Sequence, residues 1–317
     1  MNITKVINEI REIKSFKNSL EFDGVNDLRP EFQFHVDRLI ENIKVPLVVC
    51  FSGGRTSAYM SYQLKTAFSQ YFDLKFVFIN TSAEDLRTLD FVDRCDKEFD
   101  LNLTWIEARI HKGRRKSSTY AVTNYENAKR KHELFYDMAE KYGVPNKAWP
   151  HCTRELKNNP VNAWIKDNAK GAHRAIGIRN DEIDRMSLNH KKDKVIYPLI
   201  SLVPTSKEEV LLFWARQKFN LNVPEHRGNC VTCWKKSDRK IKTLIHEDEK
   251  LFAHFNNIEK SYGHINNPKN VGVFFRQNRS TQDMIKEAQK DFNKYSDPYF
   301  NNTSNISNGC EESCEAF

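Results

Sequence analysis

No stretch of this 317-residue sequence approaches the roughly 20 consecutive apolar residues that a transmembrane helix needs. The amino-terminal segment MNITKVINEIREIK is charged where a secretory signal peptide requires an apolar run. Both absences argue against a membrane-spanning or secreted protein. We therefore expect a soluble protein that has no membrane partner.

Cysteine is infrequent, with seven residues, an odd number in a chain much longer than a small disulfide-bonded domain. This usage favours a cytoplasmic, reducing location and leaves the cysteines available for metal or redox chemistry. With 39% hydrophobic residues, five Trp and 21 Phe, the chain can bury a full α/β core. We expect one domain with helical additions.

The spacing of apolar residues predicts an alternation of strands and helices, which is typical of a parallel sheet covered by helices. Strands are expected at about residues 46–51, 74–79, 102–107, 173–178 and 194–198. Helical patterns begin near Thr56 and Asp85 and recur over residues 1–44, 126–170 and 236–294. The polar end NNTSNISNGCEESCEAF is expected to be a mobile tail.

An apolar run ends abruptly in a glycine pair within residues 45–60, which read VPLVVCFSGGRTSAYM. Gly53 and Gly54 allow a tight turn whose N–H groups no Cβ obstructs, and the following helix adds the positive end of its dipole. Three hydroxyl groups can donate as well, those of Ser52, Thr56 and Ser57. The segment therefore predicts a phosphate-binding loop, although an ordinary strand-to-helix turn also uses two glycines and the spacing is not the Walker pattern.

The loop SGGRTS at residues 52–57 resembles the SGGxxS loop with which PP-loop ATP pyrophosphatases grip the pyrophosphate of ATP. Further segments are similar to the phosphoadenosine phosphosulfate (PAPS) reductase-like branch of that superfamily, namely VFINTSAEDLRTLDFV at 77–92, GIRNDEIDR at 177–185, YPL at 197–199, and the cysteine segments HCTRELK and GNCVTCWKKS. The resemblance spans about residues 45–240. It implies an α/β fold with a parallel five-stranded, Rossmann-like sheet of the adenine nucleotide alpha-hydrolase (PP-loop) type.

The resemblance also suggests boundaries along the chain. We expect a helical N-terminal extension at 1–44, the PP-loop domain at 45–235, a helical C-terminal region at 236–300 and a mobile polar tail at 301–317. The loop departs from the common SGGKDS form because Arg55 and Thr56 replace its Lys and Asp. The positive charge is kept and the acidic group is lost, so the resemblance leaves open how Mg²⁺ would be bound at this loop.

The predicted nucleotide site joins the carboxyl ends of three strands. Asn80 and Thr81 end the second strand, where they can meet the adenosine, and Gly177 and Arg179 end the fourth, where a guanidinium can neutralise phosphate oxygens. Asp181 and Glu182 could hold Mg²⁺ or could pair with Arg179 and Arg185. The predicted nucleotide-binding residues are Ser52, Gly53, Gly54, Arg55, Thr56, Ser57, Asn80, Thr81, Gly177 and Arg179, and the predicted catalytic residues are Arg55, Arg179 and Glu182.

A second set of residues indicates sulfur chemistry. Cys230 and Cys233 form a C-x-x-C turn that can direct two thiolates to one metal centre. Cys152 lies 78 positions upstream of Cys230, a gap similar to that between the cluster cysteines of sulfonucleotide reductases. The resemblance implies a four-iron, four-sulfur cluster, with His151 where those enzymes have a further cysteine. Zinc bound by His151, Cys152, Cys230 and Cys233, or merely buried thiols, are the alternatives. Cys50 and Cys95 have the pattern of core residues.

The formal net charge of +8 is unevenly distributed, with four basic clusters: HKGRRK at 111–116, KRKH at 129–132, HKKDK at 190–194 and KKSDRKIK at 235–242. Such runs can neutralise the phosphates of a nucleic acid, and they can equally be solvated faces of a basic protein. Nucleic acid is the first candidate for the acceptor of the reaction and a small metabolite is the second. The sequence does not indicate the sulfur donor.

Three functions are compatible with these motifs. In the first, the enzyme splits ATP to AMP and pyrophosphate and adenylates an acceptor, which a sulfur species then attacks. In the second, Cys310 or Cys314 of the tail attacks a bound sulfonucleotide and reduces it, although neighbouring glutamates raise the pKa of such thiols. In the third, the domain binds adenine nucleotide without turnover. The intact glycine loop favours the first function.

Overall fold

The computed structural model describes residues 7, 8, 10–12, 44–265 and 271–296. Six strands in this part of the chain form one sheet with the order β4-β3-β2-β1-β5-β6. Their bounds are β1 Val45–Phe51, β2 Phe72–Asn80, β3 Thr104–Arg109, β4 Thr119–Thr123, β5 His173–Ala175 and β6 Val195–Ile196. Neighbouring strands are parallel except β3 and β4, which are antiparallel.

From residue 44 onward, the α-helices of the described residues are α1 Arg55–Phe68, α2 Leu86–Phe99, α3 Glu133–Tyr142, α4 His151–Thr153, α5 Asn159–Asn168, α6 Pro198–Ser201, α7 Lys207–Ala215, α8 Asp238–Glu247, α9 Ala253–Tyr262 and α10 Thr281–Ala288. A π-helical turn, Arg154–Asn158, joins α4 to α5. Short 3-10 helices lie at Asn180–Arg185, Glu225–Arg227, Glu249–Phe252 and Arg276–Asn278. None of the helices in the described part is long and apolar enough to cross a membrane.

Alternate residues of β1 enter two different cores because successive side chains of a strand point to opposite faces of the sheet. Leu47, Val49 and Phe51 pack with α1, α2 and an aromatic group around Trp214 of α7. Val48 and Cys50 pack on the other face against α5. Both faces are therefore covered, which explains why β1 reads as an almost continuous apolar run.

A further core joins α3 to the carboxyl-terminal helices α8, α9 and α10. Its members include Phe255, Phe274, Met284 and the two cysteines of the C-x-x-C turn. The turn is thereby packed against the sheet domain by a helical layer that follows it in sequence.

The domain boundaries remain a prediction, and the predicted N-terminal extension and polar tail lie almost wholly outside the described residues.

The predicted five-stranded parallel sheet is corrected to six mostly parallel strands. The missed strand, β4, is short and half exposed, and it returns antiparallel to the edge strand β3. Its alternation is too brief to distinguish it from a loop. The strand expected at 194–198 ends at Ile196 because Pro198, which has no N–H to donate, begins α6. The strand expected at 173–178 ends at Ala175.

Candidate functional site

The glycine pair forms a tight loop between β1 and α1, as the sequence predicts. Gly53 has a φ of +81°, and a Cβ at this position would lie 2.7 Å from Thr88 Cγ2 at the start of α2. Only glycine fits there, since both the backbone conformation and the space exclude a side chain. Gly54 has an ordinary φ and open space around its Cα. The requirement for glycine is therefore specific to position 53.

Hydroxyl groups close the loop on itself. The backbone N–H of Ser52 donates to Ser57 Oγ over 3.1 Å, the two serine Oγ atoms are 2.9 Å apart, and Ser57 Oγ donates to the Gly54 carbonyl over 3.0 Å. Helix α1 begins at Arg55 without a side-chain cap. The N–H groups of its first turn thus point out of the helix, beside two hydroxyls, at the carboxyl edge of the sheet. This arrangement suits an anion.

The segment that follows β5 packs directly on this loop. A Cβ at Gly177 would lie 3.2 Å from Ser57 Cα, so the close approach depends on the missing side chain. Arg179 is almost fully buried, and its Nη1 donates to Thr56 Oγ1 over 3.1 Å. The structure therefore brings together the residues predicted at the ends of the first and fourth strands.

Two carboxylates neutralise the Arg179 guanidinium. It donates to both oxygens of Asp181, over 2.9 and 3.0 Å, and it lies 3.2 Å from Glu182 Oε2. Arg185 pairs with the other Glu182 oxygen. Burial alone would raise the pKa of Asp181, but hydrogen bonds and charge from Arg179 outweigh it and lower that pKa. Of the two roles predicted for these acids, the geometry favours pairing with arginine over binding Mg²⁺.

Arg55 points away from the loop. Its Nε donates to Asn220 Oδ1 over 2.8 Å, and its carbonyl accepts a 3.0 Å hydrogen bond from Trp214 Nε1. The guanidinium thus secures the segment after α7 to the start of α1. The catalytic and nucleotide-binding roles predicted for Arg55 have no geometric support in this conformation and remain predictions.

Asn80 and Thr81 end β2 next to the loop, but protein contacts already use their polar groups. Asn80 is fully buried and donates to Glu107 Oε1 over 2.7 Å and to the Lys129 carbonyl over 2.8 Å. The hydroxyl of Thr81 donates to Glu84 Oε1 over 2.5 Å and lies 3.3 Å from the Cys230 sulfur. Thr81 therefore connects the strand ends to the cysteines.

Cys152, Cys230 and Cys233 line one small cavity of about 30 Å³, together with Thr81 and Lys157. Cys152 and the C-x-x-C turn, which are distant in sequence, thus lie at one cavity, as the sequence predicts, whereas Thr81 and Lys157 were not predicted there. The remaining described cysteines, Cys50 and Cys95, are buried among apolar side chains, which confirms them as core residues. Burial raises the pKa of the Cys50 thiol to about 11 and raises that of Cys95 as well.

His151 does not line this cavity. Its ring lies between those of Tyr142 and Trp149, and its Nδ1 is 3.1 Å from Arg154 Nη2. Within the described residues, no group of three or more His, Cys, Asp and Glu side chains has the arrangement of a metal site. His151 and the three cysteines thus line different cavities, and a metal at the cysteines, iron–sulfur or zinc, remains a prediction.

Lys236, which the sequence assigned to a basic surface run, is buried and organises the C-x-x-C loop. Its Nζ donates to the carbonyls of His226, Gly228 and Val231 over 2.5, 2.9 and 3.0 Å. Lys240 is also buried and pairs with Glu225 over 2.9 Å. Because these two cations are used internally, they do not contribute to a surface for phosphates. The run follows the C-x-x-C turn directly in the sequence. That position was the signal from which a role at the cysteines could have been predicted.

Glu84 is a second residue whose role at the cysteine turn was not predicted from the sequence. Its carboxylate accepts hydrogen bonds from the N–H groups of Thr81 and Ala83, over 3.1 and 3.2 Å, in addition to the Thr81 hydroxyl. Its backbone pairs with that of Cys230. Burial raises the pKa of the Glu84 carboxyl group. Glu84 thus attaches the cysteine turn to the segment between β2 and α2.

These features define an α/β protein whose mostly parallel sheet carries a glycine–hydroxyl loop and a three-cysteine cavity at one edge. The chain is 31% identical over 280 residues to the uncharacterized nin region protein ORF290 of Escherichia phage lambda, a match that covers 85% of this chain and 94% of the phage protein. The protein belongs to the family of that phage protein. No family model matches the sequence.

Two uncharacterized proteins of Methanocaldococcus jannaschii are more distant relatives. MJ0066 is 22% identical over 237 residues, 72% of this chain and 44% of its own length, and MJ0973 is 23% identical over 166 residues, 52% and 33% respectively. A solved PAPS reductase from Candida auris, in complex with phosphate, is 14% identical and covers 62% of this chain and 90% of its own, with a TM-score of 0.36. A TM-score of this size carries no functional argument.

Proposed function

We propose that this protein is a PP-loop enzyme of the PAPS reductase-like kind that binds ATP, splits it to AMP and pyrophosphate, and activates an acceptor for sulfur transfer. The observation that carries the proposal is the loop at residues 52–57, where an obligatory glycine, two hydroxyls and an uncapped helix start converge at the carboxyl edge of the sheet. Such an edge is where open α/β sheets bind ligands.

In the proposed reaction, an acceptor oxygen forms a bond to the α-phosphorus of ATP. The bond between that phosphorus and the bridging oxygen breaks, and pyrophosphate leaves. A sulfur nucleophile then displaces AMP from the acceptor. The first-turn N–H groups of α1 and the hydroxyls of Ser52 and Ser57 would hold the pyrophosphate, and Arg179, held by Asp181 and Glu182, would position Thr56 at the same loop.

Mg²⁺ would be bound mainly by the phosphates of ATP. Asp181 and Glu182 already pair with arginine side chains and would not be its ligands. At the second centre, Cys152, Cys230 and Cys233 would hold an iron–sulfur cluster, with zinc as the alternative. When bound, such a cluster would supply the sulfur or redox chemistry of the transfer step. Lys236 and Glu84 would keep the C-x-x-C turn beside the strand ends.

ATP is expected to bind more tightly than PAPS, and loss of one loop hydroxyl should weaken ATP binding. A hydrogen bond to a charged group contributes about 1.5–3 kcal/mol, so Ser52→Ala and Ser57→Ala should each lower the affinity roughly ten-fold or more. Calorimetric titration of each variant with ATP and with PAPS measures both effects. Preference for PAPS would instead favour the sulfonucleotide reductase, and ATP binding without release of pyrophosphate would favour a non-catalytic module.

Ser61→Ala provides a matched control for these titrations. The Ser61 hydroxyl lies one turn further along α1 and donates to the Ser57 carbonyl over 2.9 Å. Its removal also deletes a buried hydroxyl from the same helix but leaves the loop unchanged. We expect ATP affinity close to that of the unmodified protein. A decrease as large as that of Ser52→Ala would show that the effect comes from helix stability.

A nucleic acid is our first proposal for the acceptor, because exposed cations lie at the site edge of the sheet. Arg114, Arg115 and Lys116 are exposed in the loop between β3 and β4. Replacing all three with alanine should flatten the dependence of RNA or DNA affinity on salt, by about one unit of log–log slope for each phosphate that the protein no longer neutralises. Equilibrium binding at several salt concentrations measures the slope.

Lys170, Lys191 and Lys192 supply a control with the same number of charges. They are exposed and precede β5 and β6, at the opposite edge of the sheet. Their triple replacement should leave the slope much closer to that of the unmodified protein. A nucleic-acid affinity that does not depend on salt, or equal effects of both triple variants on the slope, would favour a small metabolite as the acceptor.

A further inference from the structure

A second, wider cavity is lined in part by His151, the residue that precedes Cys152 of the cysteine cavity. This groove of about 930 Å³ is lined by apolar residues together with aromatic, amide and basic ones, including Tyr142, Trp149, His151, Lys147 and Arg276. Its volume lies within the range of roughly 300–1,000 Å³ that is usual for ligand sites. Among the described residues that line it, none is acidic. The groove therefore suits an anionic ligand with flat rings.

Trp149 presents its ring to solvent within this groove. The side chain is 64% exposed, whereas the other four tryptophans are at most 5% exposed. The ring of His151 is near parallel to it at 18° and to that of Tyr142 at 29°. An exposed indole at the end of a series of near-parallel rings offers a stacking surface for a nucleobase.

The exposed position of Trp149 is built into the local structure. Asn146 Oδ1 accepts hydrogen bonds of 3.0 Å from the N–H groups of both Ala148 and Trp149, and Asn146 Nδ2 donates to the Val273 carbonyl over 3.2 Å. The turn is thus attached to Val273, another residue of the groove lining. Fixing the backbone that carries the indole lowers the entropy cost of stacking a ligand on it.

Positive charge surrounds these rings. Arg276 Nη2 donates to the Lys235 carbonyl over 2.7 Å, which places its guanidinium near the cysteine turn. Gln277 and Asn278, next to it, both have positive φ, at +61° and +55°. Two consecutive non-glycine residues with a left-handed backbone conformation are strained. Such strain is common at binding and catalytic sites.

The basic loop between β3 and β4 contacts Lys141, the neighbour of the groove residue Tyr142. Lys141 Nζ lies 4.8 Å from the ring centroid of Tyr142 and donates to the Lys116 carbonyl over 2.6 Å. A chain of phosphates that follows the exposed cations of that loop would therefore reach the stacked rings. Aromatic rings flanked by a basic track are the usual features of a surface for single-stranded nucleic acid.

We propose that this groove binds an unpaired base of a single-stranded nucleic acid, stacked on Trp149, with neighbouring phosphates at Lys147 and Arg276. His151 lines the groove and the next residue, Cys152, lines the cysteine cavity. The groove and the cysteine cavity are therefore lined by adjacent residues of α4. The inference rests on the proposed function for the acceptor's role, but the binding itself requires neither ATP nor a cluster.

Titration with short oligonucleotides tests the groove directly. Single-stranded RNA, single-stranded DNA of the same sequence, and the corresponding duplexes are added to the full chain without ATP. Because Trp149 is the exposed tryptophan, stacking should quench the intrinsic fluorescence. Trp149→Ala should lower the affinity for labelled single strands about ten-fold, and Trp149→Phe, which keeps a flat ring, should restore most of it.

Two control variants accompany the test. Leu188→Ala removes a fully exposed apolar side chain outside the groove, and Lys170→Glu reverses an exposed charge at the opposite edge of the sheet. Neither should change oligonucleotide affinity appreciably, whereas Lys147→Glu should weaken it. Equal binding by Trp149→Ala and the unmodified protein, or equal affinity for duplex and single strand, would overturn the proposal.

ATP titration of Trp149→Ala separates this inference from the proposed function. Trp149 is not part of the glycine loop, so the ATP affinity of this variant should match that of the unmodified protein. If the unmodified protein binds ATP but no oligonucleotide, the groove alone is rejected. If it binds oligonucleotide but no ATP, the proposed function is rejected and the groove is supported.

Discussion

Gly53→Ala is expected to abolish measurable ATP binding, whereas Gly54→Ala should retain most of it. At position 53 a Cβ would lie 2.7 Å from Thr88 Cγ2 and 3.2 Å from Val92 Cγ2, on a backbone with φ of +81°. The loop must move to accommodate it, and the N–H groups and hydroxyls would no longer converge. At position 54 the nearest atom, Ser52 Oγ, is 3.7 Å from the added Cβ. Calorimetric titration with ATP measures the difference.

Thermal denaturation of the same variants shows whether weaker binding merely reflects unfolding. A left-handed conformation costs a non-glycine residue about 1–2 kcal/mol, so Gly53→Ala should lower the melting temperature without unfolding the protein at 25 °C. Gly177→Ala is a second test, because its Cβ would lie 3.2 Å from Ser57 Cα and should disturb the loop from the other side. Normal ATP affinity in both folded variants would reject a phosphate site at this loop.

The single variants Cys152→Ser, Cys230→Ser and Cys233→Ser are each expected to lose the same metal, because the three thiolates would bind it together. All three line one cavity, although two of them lie far from the third in sequence. A cluster or a zinc ion loses much of its affinity when any ligand is removed. Protein purified without oxygen should be brown with about four irons per chain, and absorbance and metal analysis should show the loss.

Cys50→Ser and Cys95→Ser are the matched controls, since both thiols are buried in the core and away from this cavity. They should keep the metal. His151→Ala distinguishes the two metals: a four-ligand zinc site would lose affinity sharply, and a three-cysteine cluster would keep its absorbance. Because His151 lines the groove, we expect the second result. Full metal and activity in all three cavity variants would mean that Cys230 and Cys233 are a redox pair or packing residues.

The central strands were predictable because burial on both faces leaves a strong local pattern. Strands β1, β2 and β3 were expected within two residues of their observed ends. The loop at 52–57 was also predictable, since its glycines and hydroxyls are adjacent in sequence and their placement follows from the strand before them. The short strand β4 was not, because its pairing with β3 depends on a hairpin and its own pattern is weak.

Side-chain direction was not predictable from these motifs. Arg55 belongs to the predicted loop, yet Asn220 and Trp214, more than 150 residues away, determine where its guanidinium and carbonyl lie. The contacts of the Asn80 amide with Glu107 and Lys129 were not predicted either, and its expected role at a nucleotide stays a prediction. Such contacts are made between segments distant in sequence, so periodicity and spacing carry no information about them.

By itself, the sequence determined the alternation of buried strands and helices, the position of the glycine loop after the first strand, and the cysteines that could act together. These properties depend on apolar periodicity, on the backbone freedom of glycine and on the chemistry of thiols, all of which are local. Only the tertiary structure decided that Lys236 is buried behind the cysteine turn and that His151 faces the Trp149 groove rather than the cysteine cavity. Packing between the sheet and the carboxyl-terminal helices sets these directions, because each side chain turns toward whichever partner the fold brings within reach.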